Sequence, residues 1–99
     1  MSIQRFFIEE CEKIFLIHKT NLIEKTSVTE KNRTISTEDY PKFNQEFESF
    51  QKQISKNLTK LVRSNRSKNV EEILEPIANN FTKNFLNIVD LSKMENENK

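Results

Sequence analysis

The residues with which a short chain most often does chemistry are few here: one histidine, His18, one cysteine, Cys11, and carboxylate pairs at Glu9-Glu10 and Glu71-Glu72. On a helix, Cys11 and His18 share a face but stand about 10 Å apart along the axis, too far to hold one metal ion between them. His18 is therefore read as a buried or interfacial histidine with one hydrogen bond, and Cys11 as a small buried hydrophobe. Adjacent acids on a helix splay apart, and no nucleophile or histidine is spaced to complete a triad with them. The expectation is a protein that is not an enzyme, with no cofactor, no metal and no small-molecule substrate. Ser36 and Thr37 lie beside Glu38 and Asp39, close to a helix start where a phosphate would be favoured, which makes them unspecific candidates for modification.

A second group of residues carries charge rather than reactivity. Lys52, Lys56, Lys60, Arg63 and Arg66 fall within about 120° of one helical face, Lys68 follows, and no acid intervenes between Glu48 and Glu71. Such a row is suited to nucleic-acid phosphates, anionic lipid or an acidic protein surface. It has no interleaved aromatic residue for base stacking, and the whole chain carries a net charge of only +1.

The elements that position these residues follow from composition and period. Ninety-nine residues make one domain at most, with a core too small for a deep walled pocket. Eight Phe, with abundant Ile, Leu and Val, set the chain apart from disordered sequences. With no glycine, the Rossmann fingerprint, the P-loop and the EF-hand are excluded, since each needs positive φ or close backbone approach. A single cysteine suits a reducing compartment, and no cleavable leader or bilayer-length apolar run is apparent, so the expected location is intracellular, cytoplasmic or nuclear, and not secreted. Four Asn-x-Ser/Thr triplets, from Asn32, Asn57, Asn65 and Asn80, are read as chance matches in an Asn-rich chain.

The apolar spacing predicts an all-α protein of three long amphipathic helices, at about 2–26, 39–64 and 70–92. Ser2, Asp39 and Asn69 are the candidate N-caps, Pro41 fits a first turn, and Asn69 with Glu72 resembles a capping box. Pro76 lies inside the third helix and predicts a kink or restart between Glu72 and Pro76. Residues 27–38 lose the period and read as a loop, and 64–69 as a tight turn in which an asparagine takes the left-handed conformation. The expected architecture is an antiparallel bundle with coiled-coil-like packing, or an extended hairpin with one helix appended, forming a single domain over 1–93 with a polar disordered tail at 94–99.

The stripes differ in width: about 120° on the second helix, about 160° on the third and about 200° on the first, where a simple bundle needs little more than 100°. The surplus on the first helix predicts a partner interface through Ile3, Phe6, Phe7, Cys11, Ile14, Phe15, His18 and Leu22. The functional expectation is a non-catalytic protein–protein interaction module, a small subunit or adaptor of a larger assembly, homo- or hetero-oligomeric. The alternative is a nucleic-acid-associated protein, or an inhibitor of a nucleic-acid enzyme, acting through the basic face. A third reading is a monomeric inhibitor or immunity-type bundle.

Overall fold

A computed structural model describes residues 2–65 and 69–91. Three helices form, α1 over Ile3–Lys25, α2 over Tyr40–Ser64 and α3 over Val70–Leu86, each packed against the other two. α1 begins as expected, with the Ser2 hydroxyl accepting from the Arg5 N–H at 3.1 Å. Pro41 occupies the first turn of α2, where a missing N–H is harmless.

The other two caps differ from expectation. Asp39 makes no capping bond to α2; its carboxylate instead accepts from the Ser27 backbone N–H at 3.1 Å and from Lys42 Nζ at 3.3 Å. The asparagine of the proposed capping box, Asn69, has φ 67° and makes no side-chain cap bond. The left-handed backbone that lets the chain reverse without glycine replaces the extended geometry typical of a capping residue. α3 runs through Pro76 as a single helix and does not restart there. It ends at Leu86 rather than near 92, because the chain turns after Asn87 and drives Val89 into the core. The expected polar tail at 94–99 lies outside the described residues.

α2 runs antiparallel to both neighbours. Its early residue Glu46 meets the C-terminal half of α1, and its early phenylalanines meet the end of α3. The core at this end is aromatic. Phe85 stacks on Phe50 with ring centroids 4.5 Å apart and on Phe43 at 6.1 Å, while the edge of Phe15 meets it at 6.0 Å. Each such pair contributes about 0.5–1.5 kcal/mol beyond the area it buries.

The 26–39 connection is not the plain surface loop its polar composition predicts. Val28 and Ile35 are fully buried and close the end of the bundle. Two bonds tie the connection to the end of α3: Arg33 Nη2 donates to the Asn87 carbonyl at 2.7 Å, and the Asp90 N–H donates to the Arg33 carbonyl at 2.9 Å.

This packing corrects the expectation of surplus apolar surface on α1. Phe7, Cys11, Ile14 and Leu22 are buried, and Ile3, Phe15 and His18 are partly covered. Of the eight residues expected to meet a partner, Phe6 alone is exposed, at 42%. The wide arc serves two helices and the connection at once, so the chain covers most of it. The large apolar residues left most exposed on α1, Leu16 and Ile17 at 63% and 58%, point about 100° apart and form no common face.

Candidate functional site

Two constellations of charge stand out, one exposed and one buried. The exposed one lies on the outer face of α2. Its apolar stripe, Phe43, Phe50 and Ile54 with Phe47, Leu58 and Leu61, turns inward, which obliges residues half a turn away to face solvent. Lys52, Lys56, Lys60 and Arg63 are all exposed there. Spaced four, four and three residues apart, they form a row about 16 Å long.

The pairing of charges distinguishes this row from α1 and from the start of α2. Arg5, Lys13, Lys19 and Lys25 on α1, and Lys42 at the start of α2, each have a carboxylate within 4 Å. Among the described residues no ion pair involves Lys52, Lys56, Lys60 or Arg63. Gln51, Ser55 and Thr59 lie between them, and among the described residues α2 alone lines the furrow over this face, with Glu48 at one end. With no opposing wall among the described residues, this face offers a charged track. Arg66 and Lys68, expected to extend the row, lie outside the described residues.

The buried constellation centres on Glu46, only 4% exposed and placed on the inner side of α2 between Phe43 and Phe50. Its carboxylate meets three side chains of α1: His18 Nδ1, Lys25 Nζ at 2.9 Å and, more loosely, Asn21 Nδ2 at 3.4 Å. Burial pushes the Glu46 carboxyl up, but the bonds from Lys25, His18 and Asn21 outweigh it and hold the group below its ordinary value. No buried side-chain polar atom among the described residues lacks a partner, so the cluster has no free reactive group. It fixes the register of α1 on α2.

Sequence reasoning missed Glu46, although a signal existed. The position stands only about 40° beyond the edge of the apolar arc of α2, and His18 and Lys25 are seven residues apart on one face of α1. Cys11 is fully buried, and desolvation, followed by the nearby Glu10 and Glu12 charges, pushes its thiol up to about 12. It is no nucleophile in the folded state. No group of three or more metal-ligating side chains occurs among the described residues, and no described helix is long and apolar enough to cross a membrane.

The fold and charge distribution define an all-α three-helix bundle with one unpaired basic face. No protein-family model, curated protein or solved structure matches the chain.

Proposed function

We propose that this chain is a non-catalytic helical interaction module that binds the phosphate backbone of a nucleic acid along the outer face of α2. One observation carries the reading: four exposed cations stand in a row without carboxylate partners, while the cations of α1 and of the start of α2 are paired. The absence of aromatic residues between the lysines favours contact with phosphates over reading of bases. A phosphate track also suits a row of cations spread along one helix face. The lone buried cysteine fits a reducing, intracellular setting. The adaptor reading through α1 has less support, since Phe7, Cys11, Ile14 and Leu22 are buried in the bundle and Phe6 alone of its eight residues is exposed.

Fluorescence anisotropy with a labelled DNA or RNA duplex tests the proposal. Each phosphate contact contributes a slope of about −0.9 in log K against log salt, so three to four contacts predict a slope near −3. The triple reversal Lys56→Glu, Lys60→Glu, Arg63→Glu abolishes binding and leaves the melting temperature close to that of the native protein, because all three side chains are exposed. A flat salt response, or unchanged binding by the triple variant, overturns the reading.

A further inference from the structure

The cleft where α1, the connection and the end of α3 meet has no part in the α2 reading. α1 contributes Phe15, Lys19 and Ile23, which lie four residues apart on one face. The connection contributes Glu30 and Arg33, α3 brings Asn84, and the turn after it brings Ile88. The space is about 390 Å³, within the range of small-molecule sites. Phe15, Ile23 and Ile88 give it a half-buried apolar side, and Lys19, Glu30 and Arg33 add two cations and one acid.

The walls are held in place before any ligand arrives. Both bonds between Arg33 and the 87–90 turn cross one side, and Phe15 is fixed in the aromatic core by Phe50, Phe81 and Phe85. The guanidinium has five N–H donors, and among the described residues its bond is the one from Nη2 to the Asn87 carbonyl. Lys19 Nζ pairs with Glu30 at 3.2 Å, but the Glu30 side chain is 77% exposed, so a competing carboxylate displaces it at little cost.

We infer that this cleft binds a small amphiphilic carboxylate, its apolar body against Phe15, Ile23 and Ile88 and its carboxylate between Arg33 and Lys19. An apolar wall alone would accept any small hydrophobe. The two cations select an anionic end, by the charge-assisted bonds that arginine and lysine make to carboxylates.

Titration of the full chain with octanoate, followed by amide chemical shifts, tests the inference, with octanol as the uncharged probe of equal length. The expected result is saturable change concentrated at Lys19, Ile23, Arg33, Asn84 and Ile88, with octanol binding about tenfold more weakly and Lys19→Gln weakening octanoate by a similar factor. Arg33→Gln weakens it further. Should that variant unfold through loss of the Asn87 bond, the octanol comparison and Lys19→Gln still decide the matter. Equal binding of the two probes, shifts centred on the α2 lysines, or no saturation overturns the inference. The α2 proposal survives each of these results, because its reversals leave the cleft untouched.

Discussion

Replacing Glu46 with alanine removes the one buried charge of the described bundle and tests how α1 is held against α2. The His18 contact is almost wholly withdrawn from water, with side chains 12% and 4% exposed, and a hydrogen bond to a charged group in such a setting contributes about 1.5–3 kcal/mol. The Lys25 contact has one partner 56% exposed and is worth less, about 0.3–1 kcal/mol. The Asn21 contact, at 3.4 Å, adds little. Glu46→Ala therefore costs about 2–4 kcal/mol, a large share of the 5–10 kcal/mol expected for a domain of this size, and lowers the melting temperature by about 10–20 °C. Urea denaturation followed by helical circular dichroism measures it directly, and a double-mutant cycle with His18→Ala isolates the pair. The carboxyl is held below its ordinary value of 4.5, so its stabilisation is present above that value and is lost as the pH falls through the lower, folded-state value. The stability gap between the native protein and Glu46→Gln accordingly stays open at neutral pH and narrows in acid. A cost below about 1 kcal/mol, or a His18–Glu46 coupling near zero, would refute the claim that this cluster sets the α1–α2 register.

Two further outcomes follow from burial. Ile35→Ala, in the connection, behaves as a core truncation and costs about 2–4 kcal/mol in chemical denaturation, whereas a true surface loop would lose less than about 0.5 kcal/mol. Cys11, with its thiol pushed up to about 12, reacts with a thiol-specific reagent at pH 8 only as fast as the protein opens; labelling at the rate of an unfolded cysteine would contradict its placement.

The helices were legible because amphipathic period is a local property. The stripe from Phe43 to Leu61 repeats every three or four residues, and α2 begins and ends within a residue of its expected bounds. What escaped depends on contacts distant in sequence. Val28 and Ile35 are single apolar residues in polar surroundings, with no period to betray them, and only the arrangement of three helix ends gives them a place to be buried. The end of α3 was misjudged because Ile88, Val89 and Leu91 continue the apolar count past Leu86 while the backbone turns away. The width of the α1 stripe was read correctly as residues and wrongly as geometry: about 200° is surplus against one neighbour and ordinary against two. On α2 the row from Lys52 to Arg63 could be placed on one face from spacing alone, but its lack of ionic partners emerged only once the carboxylates of the bundle had positions.

An odd number of helices has an electrical consequence. α1 and α3 point the same way and α2 opposes them, so one macrodipole is left uncancelled, worth about half an elementary charge at each end. The positive pole falls where α1 and α3 begin, beside the Lys60 and Arg63 end of α2. Glu71 and Glu72 offset the start of α3, but the first turn of α1 carries no acid. The backbone itself thus adds positive potential at that end of the molecule, where a phosphate docked on the proposed track would meet it at close range.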